Sequence, residues 1–309
     1  MKRKQISILL LVVGLTVTII TSFILTKRKG IANTTDIVIK GSDSEFNLII
    51  FLSGEYKKAY PDAVFDITGG GSAKGVQALL KNETHIANAS RALTDEEISE
   101  AEANKIDTRS FIIAGDAVAI ITHRQVGVDS LSLDQLKGIF RGDIKNWKEV
   151  GGVDLPIVIY GRDENSGTYH YMLRRLFLDQ FPTNVSKFAH NYQIIEKVES
   201  EKGAVGYVSS GAIIDRNGKP YTRIWPINIS IEGGRACSPF DIQSIKYGEY
   251  PLTRALYQYV RKDVDSKILD FIKFELAPQQ QLALEKHGYF PVSPIQEVIN
   301  KKNGIEVLP

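Results

Sequence analysis

Arg162-Asp163-Glu164-Asn165-Ser166-Gly167-Thr168 follows an apolar run, Pro156 to Tyr160, and precedes Tyr169 to Phe177. The run reads as a buried strand, and Leu173, Leu176 and Phe177 fall at helical spacing. The stretch therefore predicts a strand-to-helix turn, with Ser166-Gly167-Thr168 opening the helix. Helix N-termini carry unsatisfied N–H groups and a partial positive charge. Gly167 lets backbone approach a ligand closely. Arg162 adds a planar fork of donors suited to a tetrahedral oxyanion. Together these features describe a socket for an anion; taken by itself, the same stretch also reads as a surface turn with a serine cap.

Two further turns repeat the pattern. Asp36 to Lys40 reads as a strand ending at Gly41-Ser42-Asp43-Ser44. A helix is predicted next, with Phe46, Ile49, Ile50 and Ser53 on one face and Asp43 or Ser44 as its N-cap. Ala63 to Ile67 alternates as a strand and leads into Thr68-Gly69-Gly70-Gly71-Ser72-Ala73-Lys74-Gly75, then the helical Val76 to Leu80. That loop is no phosphate-cradling P-loop, because no Gly-Lys-Ser/Thr closes it. Nor is it a dinucleotide fingerprint, with Lys74 where a third glycine is needed. It is not a nucleophile elbow either, since Ser72 lacks its paired glycine.

The rest of the chain alternates in the same way. His85 to Ala89 is a short strand ending at Ser90-Arg91, and Thr94 to Glu97 is a capping box. Phe111 to Ile113 and Ala117 to Thr122 are apolar β runs around Gly115-Asp116. Ser132 to Gln135 caps another helix, and Trp147 reads as a packing anchor in the loop Asp143 to Gly152. Ala204 to Val208, Tyr221 to Pro226 and Pro251 to Val260 are predicted strands; Lys267 to Phe274 and Pro278 to Glu285 are predicted helices. Alternation with Gly- and Ser-rich strand-to-helix turns indicates an α/β fold with ligand at the carboxyl ends of strands.

At the N-terminus, Ile6 to Leu25 is an apolar run between Lys2-Arg3-Lys4 and Lys27-Arg28-Lys29. Its length suits a bilayer helix. With no small-residue cleavage site and a basic cluster behind it, an uncleaved anchor is favoured over a cleaved signal. The matched basic flanks leave orientation open. Residues 1–35 are thus read as anchor and linker, outside the globular part. The remainder, with 43% hydrophobic and 24% charged residues overall, suits one or two domains with real cores.

Net charge is +2, so no polyanion-binding field is implied and no nucleic-acid partner is expected. Cys237 is the one cysteine, which excludes an intramolecular disulfide and a cysteine metal cluster. The histidines at 85, 123, 170, 190 and 287 form no metal-ligand spacing and sit in no recognisable relation to Ser72 or Ser166. No catalytic residue, metal or cofactor is therefore expected: the turns are built to hold an anion, not to transform it.

In order, the chain carries Gly41-Ser42-Asp43-Ser44, Gly69 to Gly75, Ser90-Arg91, Leu133 to Phe140, Asn146-Trp147, and Arg162 with Ser166-Gly167-Thr168. This series resembles the substrate-binding proteins of phosphate ABC transporters, over roughly Asp36 to Val292. The resemblance implies a two-domain, type II Venus-flytrap fold, with 36–114 and 248–309 forming one lobe and 115–247 the other. It implies inorganic phosphate in the cleft between them, held by Ser42, Asp43, Ser44, Ser72, Ala73, Ser90, Arg91, Arg162, Ser166, Gly167 and Thr168. It further implies a monomer outside the cytoplasm that delivers to the membrane permease subunits of an importer. Two departures stand out. The family's proton-accepting aspartate position is Arg91 here, and a first-loop hydroxyl position is Asp43, to which the acceptor role is expected to pass. The rival readings are another oxyanion such as sulfate or molybdate, a phosphatase using Ser72 or Ser166, and a tethered sensing module.

Overall fold

A computed structural model describes residues 37–305 apart from Thr183, Arg216 and Glu232. The segment read as a membrane anchor lies outside these residues. Among the described residues no helix is long and apolar enough to cross a membrane.

The elements run β1 (Ile37–Gly41), α1 (Phe46–Ala59), β2 (Phe65–Thr68), α2 (Ser72–Leu80), β3 (Ile86–Ala89), α3 (Asp95–Ala103), β4 (Thr108–Thr122), β5 (Ser130–Ser132), α4 (Leu133–Arg141), β6 (Val158–Arg162) and α5 (Gly167–Arg175). They continue with β7 (Ser186–Phe188), α6 (Asn191–Ser200), β8 (Ala204–Ser209), β9 (Trp225–Pro226), β10 (Asn228–Ser230), α7 (Ile242–Lys246), β11 (Thr253–Arg261), α8 (Ser266–Glu275), α9 (Pro278–Ala283), β12 (Tyr289–Phe290) and α10 (Pro294–Lys302).

The main sheet has the order β2-β1-β3-β11-β4-β8-β6-β7. Its two halves meet on β4, a strand of 15 residues. Up to Ala117, β4 pairs antiparallel with β11, and from Val118 onward it pairs antiparallel with β8. On one side of this changeover β1, β2 and β3 run parallel; on the other, β6 runs parallel to β7 and β8. Each parallel set sends its carboxyl ends, with their turns, to one edge. Gly41, Thr68 and Ala89 are brought together there in one half, and Arg162, Phe188 and Ser209 in the other.

Each half has its own core. Ile39, Leu48, Leu52, Phe111, Leu256 and Phe271 belong to one; Val118, Ile120, Phe140, Trp147, Met172 and Tyr207 belong to the other. Trp147 is the expected anchor: it is fully buried, and its Nε1 donates to Gly203 O at 2.9 Å. The alternating apolar residues of β4 are buried on both faces over its second half, which is why this strand reads as a continuous apolar run.

Three local expectations need correction. On α1 the buried stripe is Leu48, Ile49, Leu52, Ser53 and Tyr56, with Ile50 exposed and Phe46 half-buried. The helix is rotated because Leu48, Leu52 and Tyr56 pack on the α8 side, where Tyr56 meets Phe271 edge-on. The residue at its N-cap position is Glu45, with no side-chain cap, so neither Asp43 nor Ser44 caps it. Of the strand expected over Tyr221 to Pro226, only β9 forms, paired to Ile121 and Thr122. By contrast, β6 starts two residues later than its apolar run and continues to Arg162, so that residue ends the strand and leads into the turn.

Candidate functional site

Arg162 sits at the carboxyl end of β6 with its side chain fully buried. Its Nη1 donates to Asn191 Oδ1 at 2.6 Å and its Nη2 to Ala189 O at 2.5 Å. Its backbone N–H donates to the Tyr207 hydroxyl at 3.1 Å. The guanidinium is thus aimed by the segment leading into α6, while its Nε is buried without a protein partner. Burial lowers its pKa and nearby Asp43 counters that shift; an arginine stays charged throughout.

Ser166 is the N-cap of α5, its Oγ accepting from Thr168 N at 3.1 Å. This is the local reason the helix starts at Gly167. Gly167 then meets the other half of the molecule. A Cβ there would lie 2.5 Å from both Ser72 Oγ and Ser90 Oγ. Those two serines come from different turns of the first half. They are joined by a Ser90 N to Ser72 Oγ bond of 3.1 Å. Thr168 Oγ1 lies 3.1 Å from Ser44 Oγ, again across the two halves. Ser42 Oγ is buried without a protein partner, and its backbone N–H donates to Asn88 O. Ser42, Ser44, Ser72, Ser90, Gly167, Thr168 and Arg162 therefore belong to the turn region where the two halves meet, and every one of them is buried.

Three of the expected site residues behave differently. Arg91 is buried, but its guanidinium grips Glu97 with two bonds of 2.7 Å, and Nη1 also donates to Ala92 O. Glu97 is fixed by its own capping box at the start of α3, so this charge is neutralised inside the first half. The pairing with Glu97 gives Arg91 a structural role inside the first half, while its Nε is left buried without a protein partner. The Ala73 amide donates to Asn165 O at 3.1 Å, so it ties the second turn to the Arg162 turn.

Asp43 does not cap its own helix. Its Oδ2 accepts from Asn191 N at 2.6 Å and its Oδ1 lies 2.9 Å from His190 Nδ1, both at the start of α6. Oδ2 is also 3.6 Å from Arg162 Nη1. The turn after β1 projects this carboxylate across to the first-turn amide of another helix and to a buried cation, both of which favour it over its own helix start.

A third arginine with a buried side chain, Arg254, lies outside the motifs singled out in the sequence. Arg254 and Asp116 are register partners on β11 and β4, beside the changeover between the two halves. Arg254 Nε and Nη2 donate to Asp116 Oδ2 at 3.0 and 2.8 Å, and Nη2 also donates to Ser44 Oγ at 2.8 Å. Asp116 Oδ1 accepts from Ser209 Oγ at 2.7 Å; Ser210 Oγ lies 3.3 Å away and donates to Gly288 O at 2.6 Å. Burial pushes the Asp116 carboxyl above its usual range, against the pull of Arg254. One signal for this pair was present in the sequence: each is a lone charge inside an apolar strand, and such charges are buried only when paired.

Chemically, the cluster supplies hydroxyl donors and two guanidinium groups, each guanidinium beside a carboxylate: Asp43 by Arg162 and Asp116 by Arg254. Among the described residues, neither an imidazole nor a carboxylate hydrogen-bonds Ser72, Ser90 or Ser166. His190 is engaged by Asp43 and His170 by Glu164 O. A serine nucleophile needs an adjacent base, and none is bonded to these three serines; their hydroxyls and the guanidinium donors suit an anion.

Known proteins agree with this picture. A model of the PBP superfamily domain matches residues 29–279. The phosphate-binding protein PstS of Pseudomonas aeruginosa is 28% identical over 299 residues, spanning 90% of this chain and 90% of that protein. PstS of Bacillus subtilis is 25% identical over 271 residues, or 87% and 84% of the two chains. Among solved structures, a putative phosphate ABC transporter substrate-binding protein with bound phosphate from Clostridium perfringens superposes with a TM-score of 0.74. It is 25% identical and covers 84% of this chain and 100% of its own. The expected two-domain periplasmic-binding architecture is thereby met, as is the resemblance to phosphate-transporter binding proteins. Matched by that family model over most of its length, the chain belongs to the PBP superfamily.

Proposed function

We propose that this protein binds inorganic phosphate outside the cytoplasm, in a cleft between two lobes, and delivers it to the permease subunits of an ABC importer. The observation that carries the reading is the meeting of Ser72 and Ser90 with Gly167, and of Ser44 with Thr168, beside the buried Arg162. A tetrahedral anion needs donors on several sides, and here they come from turns in both halves. The relatives named above are phosphate-binding proteins, which favours phosphate over sulfate or molybdate.

The ligand set is Ser42, Asp43, Ser44, Ser72, Ser90, Arg162, Ser166, Gly167 and Thr168. Asp43 is the acceptor for the proton of hydrogen phosphate; its place beside Arg162 supports this role. The lobes are 36–114 with 248–309, and 115–247. The change of β4 partners between Ala117 and Val118 supports a crossing on that strand. The chain acts as a monomer, held at the outer face of the membrane by Ile6 to Leu25, and performs no catalysis. Calorimetric titration of the full-length protein in detergent with phosphate and with sulfate tests the reading. Saturable binding of phosphate, with sulfate much weaker, is the expected result; preference for sulfate or no heat with either anion refutes it.

A further inference from the structure

We infer that Arg254 is a positioning residue that makes Ser44 a committed hydrogen-bond donor toward the bound anion, with Asp116 holding Arg254 in place. This inference rests on the phosphate-binding reading and concerns a residue pair outside the motifs that suggested it.

A serine hydroxyl has one proton and two lone pairs, and it rotates to suit its neighbours; a guanidinium has donors only. Arg254 Nη2, 2.8 Å from Ser44 Oγ, must therefore donate to it and occupy a lone pair. Ser44's single proton is left to point elsewhere, and Thr168 Oγ1 lies 3.1 Å away on the opposite half. A hydroxyl fixed in this sense, polarised by an adjacent cation, presents its proton to an oxyanion entering between the two halves. A hydroxyl without that partner would have to be turned at the moment of binding.

The rest of Ser44 is fixed as well. Its carbonyl accepts from Tyr289 OH at 2.9 Å. Ser209 Oγ, 3.4 Å from that carbonyl, gives its one proton to Asp116 at 2.7 Å, so the carboxylate that holds Arg254 also holds a neighbour of the Ser44 backbone. Asp116 is fully buried and accepts from Arg254 and Ser209, while the Ser210 hydroxyl, 3.3 Å away, gives its proton to Gly288 O at 2.6 Å. Its partners come from β11 in the first half and from the end of β8 in the second. Arg254 Nη1 is buried without a protein partner, so the guanidinium holds donor capacity that the ion pair does not use.

A purely structural ion pair would have the same burial, so the test must separate positioning from support. Arg254→Lys keeps a charge against Asp116 but loses the fork that spans Asp116 and Ser44. Inorganic phosphate is titrated calorimetrically into the full-length protein as wild type, Arg254→Lys, Ser44→Ala and the double variant. Arg254→Lys should weaken binding by about tenfold when Ser44 is present, the scale of one charge-assisted hydrogen bond. In the Ser44→Ala background it should weaken binding by less than about twofold, because the group through which Arg254 acts is gone. Equal losses in both backgrounds overturn the inference while leaving phosphate binding intact. Absence of phosphate binding by the wild type removes the proposed function and this inference with it. If Arg254→Lys does not fold, the charge-neutral pair Asp116→Asn with Arg254→Gln is used in the same cycle, with the same two readings.

Discussion

Asp43 and Asn191 are 148 residues apart in the chain, yet the Asp43 carboxylate accepts the Asn191 backbone N–H at 2.6 Å. The bond joins the turn after β1 to the first residue of α6, and so joins the two halves across the site. An ionised carboxylate accepts and never donates. Hydrogen phosphate offers it a proton, whereas sulfate sets a lone pair against it, and such repulsion of the wrong ligand can dominate selectivity. Asp43→Asn keeps an oxygen for Asn191 N and nearly the same shape. Phosphate affinity should fall by about tenfold and the preference over sulfate should shrink by at least as much. Competition titrations of the two anions measure this; an unchanged ratio means that another group accepts the proton.

Arg162→Ala should weaken phosphate binding by about 30-fold or more, since truncating one partner of a desolvated charged contact costs roughly 2–5 kcal/mol. The ligand-free protein should also lose about 1–3 kcal/mol, because Asn191 Oδ1 and Ala189 O lose their donor. Titration gives the first value and urea unfolding without phosphate the second. Phosphate affinity within threefold of wild type would place the site elsewhere.

Gly167 offers a sharper separation of binding from folding. Its φ is not in the left-handed region, so the backbone accepts alanine, which also favours the helix. The obstacle is steric and lies across the cleft, 2.5 Å from Ser72 Oγ and Ser90 Oγ. Without phosphate the two halves are free to part and relieve that contact, so Gly167→Ala should change ligand-free stability by less than about 1 kcal/mol. Phosphate affinity should fall by at least about tenfold, because the two halves cannot close to the same distance. Thermal melting with and without phosphate checks both: a full ligand-induced rise in Tm would contradict the predicted steric block.

The parts of the site legible in the sequence were those written locally. Ser166-Gly167-Thr168 opens a helix after a strand, Gly71 and Ser72 do the same, and both patterns follow from short-range periodicity and capping. The misses were relations between distant residues. Arg254 and Asp116 are 138 residues apart, and only strand register brings them together. Asp43 reads as a cap because capping is local, whereas its carboxylate meets Arg162 and the start of α6. Arg91 is the intermediate case: Glu97 lies six residues on, in a capping box that was recognised, and the pairing of the two charges could have been drawn from it.

Beneath the site, Glu45 is fully buried and neither carboxylate oxygen has a hydrogen-bond partner in the protein. Burial raises its pKa well above the ordinary 4.5, and Arg254 only partly opposes that rise. Glu275, also fully buried, is raised in the same direction by burial, with Gln258 opposing. The sign follows from proton binding. Between the ordinary value and the raised one, the folded state holds these protons more tightly than the unfolded state, so stability falls as pH rises through that window. Below about pH 4.5 the burial penalty is absent, and above the raised values it is complete. Glu45→Gln removes one titrating group and keeps its volume. At pH 8 the variant should be more stable than wild type by about 1 kcal/mol or more, and its loss of stability between pH 5 and pH 8 should be shallower. Urea unfolding at several pH values without phosphate measures both quantities. A variant that loses stability with the wild-type slope would mean that Glu45 keeps the same charge in the folded and unfolded chains across that range.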